Sequence, residues 1–129
     1  MSSIFNKIIN GEIPAYKVAE NDEFLAFLDI APLVEGHTLV IPKKETDFIF
    51  DIEDEQLGRF MQFAKIVARK MNTVFDCKRI GVSVIGLEVP HAHIHLIPIN
   101  GVGDMDFNKE KLSLPKEKME AIAKKIIEA

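Results

Sequence analysis

A long amphipathic segment in the middle of the sequence constrains the fold more than any other feature. From about Asp54 to Phe75, apolar side chains recur at intervals of three and four residues, which predicts one long α-helix with a single apolar face. Asp51 and Glu53 precede it, and acidic side chains are favourable at the positive end of a helix dipole. A stripe this wide predicts packing against a sheet. Its members are Leu57, Phe60, Met61, Ala64, Val67, Ala68, Met71 and Val74.

The other apolar segments predict short strands and two further helices. Helical spacing runs from Ile4 to Ile9, ended by Asn10-Gly11, and again from Pro115 to Ile127. Strands grouped in runs, rather than alternating with helices, favour an α+β fold with a five-stranded antiparallel sheet. No repeat or linker interrupts the chain, so we expect one domain over residues 1–129. The predicted strands are Tyr16–Ala19, Phe24–Asp29, His37–Ile41, Ile80–Ile85 and Ala92–Pro98.

Composition excludes several classes of partner. The formal net charge is -4, with acidic and basic residues interspersed, so we expect neither nucleic acid nor an anionic membrane surface as a partner. The first residues lack the layout of a secretory signal, and no apolar run approaches the ~20 residues of a membrane span. Cys77 is the one cysteine, so no intramolecular disulfide can form. We therefore expect a cytoplasmic protein.

Three of the four histidines lie within five residues, at His91, His93 and His95. Because side chains alternate across a strand, the three imidazoles should share one face, roughly 6.5 to 7 Å apart. Two kinds of chemistry fit this arrangement. A metal ion could be bound from one face, with His37 or Glu88 as a further ligand. Alternatively, a neutral imidazole could attack phosphorus while its neighbours orient it and handle charge. Spacing alone does not separate the two.

The segment His91-Ala92-His93-Ile94-His95-Leu96-Ile97 resembles the signature of the histidine triad (HIT) family, in which histidines alternate with apolar residues. Three other segments also resemble parts of bacterial-type, Hint-like members of this family. Residues 4–15 resemble the opening helix and turn, residues 26–32 resemble the end of the strand that binds ribose, and residues 36–44 resemble the third strand. This resemblance implies a homodimeric nucleotide hydrolase that needs no cofactor.

The resemblance also implies roles for individual residues. His93 would attack the α-phosphorus of a nucleotide and carry a covalent nucleotidyl group. His95 would hydrogen-bond the phosphate or share the leaving-group proton, His91 would orient its neighbour, and His37 would complete the cluster. Asp29 would bind the ribose hydroxyls, for which a carboxylate is a suitable acceptor. The positions that would line the base pocket are Phe5, Ile8, Phe27, Ile30 and Leu39.

The sequence departs from the family pattern in three places. Ser3, Asn6 and Glu45 occupy positions that hold zinc ligands in many bacterial members, so we expect no structural zinc. The loop before the triad is short, and Glu88 falls near the position at which Hint-type enzymes have a serine that contacts the phosphate or leaving group. A carboxylate there would repel the phosphate unless it is neutralised or turned away. The last triad residue is His95 rather than glutamine, which favours hydrolysis over nucleotidyl transfer.

The function that we predict is hydrolysis of purine nucleoside phosphoramidates or mixed adenylates to the nucleoside monophosphate. Cleavage of dinucleoside polyphosphates is the alternative within the same enzyme class. A regulatory module that binds nucleotide with little turnover is the alternative outside it, motivated by Glu88 and by the absence of the asparagine that the family usually has before the triad.

Overall fold

Residues 3–129, which the computed structural model describes, form a five-stranded antiparallel sheet with α-helices on both faces. The predicted α+β fold is confirmed. Short 3-10 helices follow β3 and β5, at Ile49–Asp51 and Val102–Met105. The helices are α1 (Ile4–Ile9), α2 (Asp54–Val74) and α3 (Lys116–Ile127). The strands are β1 (Lys17–Glu20), β2 (Phe24–Leu28), β3 (Thr38–Pro42), β4 (Arg79–Ser83) and β5 (Ile94–Ile99).

The strand order is β1-β2-β3-β5-β4, so β5 inserts between the third and fourth strands of the chain. The pairing register places Phe27 of β2 opposite Leu39 of β3, and Leu39 opposite His95 of β5. These three side chains therefore form a row across the centre of one face of the sheet.

Both faces of the central strands are buried, which explains their nearly continuous apolar sequence. The side chains of β2, β3 and β5 that point the other way, such as Ala26, Val40 and Ile94, pack with α2 and α3 in the larger apolar core. Phe5 and Ile8 of α1 cover the face that carries the His95 row. The short first helix thus lies on the side of the sheet where the histidines are.

The long helix begins at Asp54, and the Glu53 side chain caps it by accepting a 2.9 Å hydrogen bond from the Gln56 amide. The predicted apolar stripe is wrong at one position, since Met61 is 48% exposed. Phe63, which was outside the stripe, is buried, and its ring lies 5.7 Å from that of Phe24. The apolar face is therefore rotated slightly relative to the prediction.

The predicted strand ends around the histidines are also wrong. The fifth strand begins at Ile94 rather than at Ala92, the third begins at Thr38 rather than at His37, and the fourth ends at Ser83 rather than at Ile85. An irregular segment, residues 84–93, separates β4 from β5 because Gly86 has a positive φ of 73° and Pro90 lacks an amide donor. Within residues 3–129, no helix combines the length and apolar character needed to cross a bilayer.

Candidate active site

The four histidines converge at one place, although only His95 belongs to a strand. His37 directly precedes β3, the neighbour of β5, and its Nε2 lies 2.9 Å from Nδ1 of His95. The ring centroids of His93 and His95 are 4.8 Å apart, and the ring planes are inclined at 64°. This separation is shorter than the predicted 6.5 to 7 Å, because His93 lies in the irregular segment and its ring is not constrained to strand spacing.

One backbone donor determines the tautomers of His37 and His95. The Leu33 amide donates a 3.1 Å hydrogen bond to Nδ1 of His37, so that nitrogen is unprotonated and the proton of the neutral ring is on Nε2. Nε2–H of His37 then donates to Nδ1 of His95. His95 is left with its own proton on Nε2, where it can donate to a ligand.

His93 has the opposite tautomer. Its Nδ1 lies 2.8 Å from the backbone carbonyl oxygen of His91, which can only accept, so Nδ1 carries the proton. Nε2 of a neutral His93 is therefore unprotonated and holds a lone pair. The pair His93 and His95 thus presents one nucleophilic nitrogen and one N–H donor side by side.

His91 is completely buried, and both of its ring nitrogens are hydrogen-bonded. Nε2–H donates to the Pro42 carbonyl oxygen at 2.7 Å, so Nδ1 accepts from the Ser3 hydroxyl at 2.9 Å. Ser3 also caps α1 and donates its amide hydrogen to Oε1 of Glu45 at 2.7 Å. Ser3 and Glu45, two of the positions that depart from the family's zinc pattern, therefore meet beside His91.

Burial keeps His37, His91 and His95 neutral. It lowers the pKa of His37 to about 3, with the charge of His95 as a smaller cause, and lowers the pKa of His95 to about 4, with His93 as the smaller cause. The pKa of His91 is also lowered, again mainly by burial. Neutral rings suit this site, since only neutral imidazole can offer a lone pair and an N–H donor at once.

Asp29 follows β2 and reaches the same cluster. Its Oδ1 accepts a 2.9 Å hydrogen bond from the Ala31 amide, while Oδ2 lies 3.7 Å from Nε2 of His37. Burial raises the pKa of the Asp29 carboxyl, and the Ala31 amide opposes this rise. The carboxylate is therefore beside the histidines and partly open to a ligand.

Four of the five residues expected in a base pocket lie together. The side chains of Phe5, Ile8, Phe27 and Leu39 belong to one buried apolar cluster, and the Phe5 ring is 4.9 Å from that of His93. Ile30 lies apart from this group and is 73% exposed. It follows β2 in the bend at residues 30–31, where its side chain points to solvent.

A cavity of about 180 Å³ opens beside His93. The sequence did not predict most of the residues that line it. Glu88 lines this cavity, as the sequence suggested, together with Phe107 and Lys111. The ring of Phe107 packs edge-on against that of His95, with centroids 4.8 Å apart. Residues 106–115 show no helical or alternating pattern, so nothing in the sequence indicated that they return to the histidines.

Three side chains could also hold a metal ion. Donor atoms of Asp29, His37 and His95 lie within 4.8 Å of one another. However, the nitrogens of His37 and His95 that face each other already share a hydrogen bond at 2.9 Å. A metal would have to replace that bond, whereas nucleophilic chemistry uses the ring atoms as they stand.

Comparisons with known proteins place the chain in a family. Residues 10–101 match the HIT domain family. An uncharacterized HIT-like protein of Borreliella burgdorferi is 37% identical over 95% of this chain and 94% of its own length. Adenosine 5'-monophosphoramidase HNT1 of Saccharomyces cerevisiae is 43% identical over 74% of this chain and 61% of the yeast protein.

The fold agrees with these matches. The crystal structure of a Hit-like protein from Bartonella henselae superposes with a TM-score of 0.85 at 34% identity, covering 98% of this chain and 95% of that one. The sequence match, the superposition and the convergence of the histidines agree with one another. The chain therefore belongs to the HIT family.

Proposed function

We propose that the chain hydrolyses purine nucleoside phosphoramidates or mixed adenylates at the α-phosphate and releases a nucleoside monophosphate. The observation that carries this proposal is the 2.8 Å contact between Nδ1 of His93 and the His91 carbonyl oxygen, which leaves Nε2 as a nucleophile. The yeast relative, an adenosine 5'-monophosphoramidase by name, supports the same reaction class.

In the proposed reaction, the lone pair of His93 Nε2 forms a bond to the α-phosphorus as the bond to the leaving group breaks. A carboxylate leaves a mixed adenylate as an anion, whereas an amine takes up a solvent proton as it leaves. Nε2–H of His95 donates to a phosphate oxygen and stabilises the developing charge. Water then attacks phosphorus and loses a proton to solvent, the N–P bond breaks, and His93 regains its lone pair.

The nucleoside would bind next to this pair. Oδ2 of Asp29 is the acceptor that we assign to the ribose hydroxyls, because Oδ1 is already bonded to a backbone amide. The purine would contact the apolar cluster. Phe5 would lie between the base and the phosphate, because its ring contacts the rings of both Phe27 and His93. Ile30 would take part only at the exposed rim.

The test is turnover of adenosine phosphoramidate and diadenosine tetraphosphate by wild type and by the His93→Ala variant. We expect preferential turnover of the phosphoramidate and a loss of at least about 1,000-fold in the variant, as for removal of other catalytic nucleophiles. Rapid alkaline denaturation of wild type during turnover should trap an adenylyl group on the protein, detected by intact mass, because a phosphorus–nitrogen bond to imidazole is labile in acid and stable in alkali. A Lys125→Ala variant on α3 is the matched surface control and should retain full activity.

The alternatives predict different results. Faster cleavage of diadenosine tetraphosphate than of adenosine phosphoramidate would favour a dinucleoside polyphosphate hydrolase. Tight nucleotide binding without turnover would favour a regulatory module that binds nucleotide. The Glu88 carboxylate in the cavity beside His93 supports this alternative. Activity lost on chelation and restored by one metal would favour a metal enzyme at Asp29, His37 and His95.

We further infer that the chain forms a homodimer in the cytoplasm. Among residues 3–129, β4 pairs only with β5, so its outer edge is open to a second chain. A cavity of about 580 Å³ beside this strand has mainly apolar walls, which include Phe48, Met61, Val82 and Leu87. An exposed apolar face next to an open strand edge is typical of a subunit interface. A free thiol at Cys77 is compatible with the reducing cytoplasm.

A further inference from the structure

Hydrogen bonds of Ser3 join the first helix to the candidate active site. Its amide donates to Oε1 of Glu45 at 2.7 Å, and its Oγ accepts from the Asn6 amide at 3.1 Å. The Ser3 hydroxyl donates to Nδ1 of His91, because the proton of that ring is on Nε2, which donates to the Pro42 carbonyl. Ser3 is only 5% exposed, so water does not readily replace these partners.

The ring of His91 is therefore held at both ends, and this matters because its backbone is not part of the sheet. Residues 91–93 lie in the irregular segment before β5, where no ladder of hydrogen bonds fixes the carbonyl groups. The His91 amide donates to the Val89 carbonyl at 2.8 Å and the Ala92 amide to the Thr46 carbonyl at 2.7 Å, and the His91 ring supplies the remaining anchors. The His91 carbonyl so positioned is the group that fixes the tautomer of His93.

We propose that Ser3, oriented by Glu45, is a positioning residue that holds the His91 carbonyl and thereby keeps His93 in its nucleophilic tautomer. The effect of Ser3 on the reaction rate rests on the proposed function. The link from Ser3 to His93 passes through the His91 ring and then through one residue of backbone. Ser3 itself does not touch the site of reaction.

The structure distinguishes this role from helix capping. A cap needs only to accept a hydrogen bond from the helix, and aspartate does so about as well as serine. Holding the neutral His91 ring requires a donor, which an ionised aspartate cannot supply. Threonine keeps both abilities. Ser3→Asp therefore preserves the cap and removes the anchor, whereas Ser3→Ala removes both and Ser3→Thr preserves both.

The experiment measures kcat and KM for adenosine phosphoramidate in the three Ser3 variants, with imidazole ¹⁵N spectra of the free proteins. With only four histidines in the chain, their ring nitrogens can be assigned individually. We expect kcat to fall roughly ten-fold in Ser3→Ala and Ser3→Asp, with less than about two-fold change in KM, and to return in Ser3→Thr. The ¹⁵N shifts of His93 should show a smaller population of the Nδ1–H tautomer in Ser3→Ala and Ser3→Asp than in wild type.

Glu45 has a matched pair of variants. Glu45→Gln keeps an oxygen acceptor for the Ser3 amide and should behave as wild type, whereas Glu45→Ala should resemble Ser3→Ala in milder form. Wild-type kcat and an unchanged His93 tautomer in Ser3→Asp would overturn the proposal. If wild type itself does not turn over the substrate, the proposed function fails, while the tautomer measurement still decides the positioning role.

Discussion

At the scale of single residues, a few backbone groups determine what each histidine can do. The Leu33 amide and the His91 carbonyl are obligatory donor and acceptor, and through them His37, His93 and His95 each take one tautomer. The chemistry that we propose follows from that assignment. Two neighbouring imidazoles with opposite tautomers offer a nucleophile and a donor without any change of protonation.

Two of these buried rings should couple stability to pH. The pKa of His37 is about 3 and that of His95 about 4 in the folded protein, against about 6.5 for an unfolded histidine. As pH falls below about 6.5, the unfolded chain takes up protons that the folded protein does not. The free energy of unfolding should therefore be fully retained above about 6.5 and decrease below it, by about 1.4 kcal/mol per pH unit for each ring.

Urea unfolding between pH 7.5 and about 4.5 would measure this slope. His37→Gln removes one of these rings and should reduce the slope by about 1.4 kcal/mol per pH unit. Asp29 acts in the opposite direction because burial raises its pKa. Equal slopes in wild type and variant would contradict the assignment of a neutral, buried His37.

At the scale of elements, the turn before β3 places His37 opposite β5. Gly36 in this turn has a φ of 90°, and a Cβ there would lie 2.8 Å from Cε1 of Phe75, the residue that follows α2. The turn therefore needs both the left-handed backbone and the missing side chain. The end of the long helix and the start of the third strand are held together at this contact.

Gly36→Ala should lower the free energy of unfolding by roughly 1–3 kcal/mol, from strained backbone and crowding against Phe75. Gly58→Ala is the matched control, because Gly58 lies within α2 with nothing within 4 Å of its added Cβ. Alanine there should stabilise the protein by about 0.8–1 kcal/mol. Chemical unfolding of both variants measures the two effects, and a Gly36→Ala protein as stable as wild type would show that the turn can rearrange.

At the scale of the whole molecule, the open edge of β4 and the apolar face beside it predict a dimer of 14.5 kDa chains. Val82 lies on this strand and is 54% exposed, so Val82→Lys would bring a charge into the interface. We expect dimerisation roughly 30-fold weaker, as for loss of an interface hot spot. Sedimentation equilibrium measures the dissociation constant.

Ile127→Lys is the corresponding control. Ile127 is similarly exposed, at 52%, but it lies on α3, which packs against β1 at the opposite edge of the sheet. This variant should dimerise as wild type does. A wild-type chain that sediments as a monomer at micromolar concentration would refute the inferred dimer.

Much of the fold could be read from local patterns. Helical spacing located α1 and α2 because a helix repeats its apolar face over many residues, and short apolar runs located the strands. The pattern failed at strand ends, as at His93, because a strand stops where pairing stops, and pairing depends on distant residues. Within the candidate site, the histidines and Asp29 were named in advance from the motif and its resemblance, whereas Phe107 and Lys111 were not.

By itself, the sequence determined the elements, the face that each buries and the clustering of three histidines, because these follow from spacing along one chain. Only the tertiary structure decided which nitrogen of each ring carries a proton. That choice depends on the Leu33 amide, the Pro42 carbonyl and the Ser3 hydroxyl, which are brought to the rings by folding. A hydrogen bond acts over about 3 Å, so it is specified by position in space and not by order in the chain.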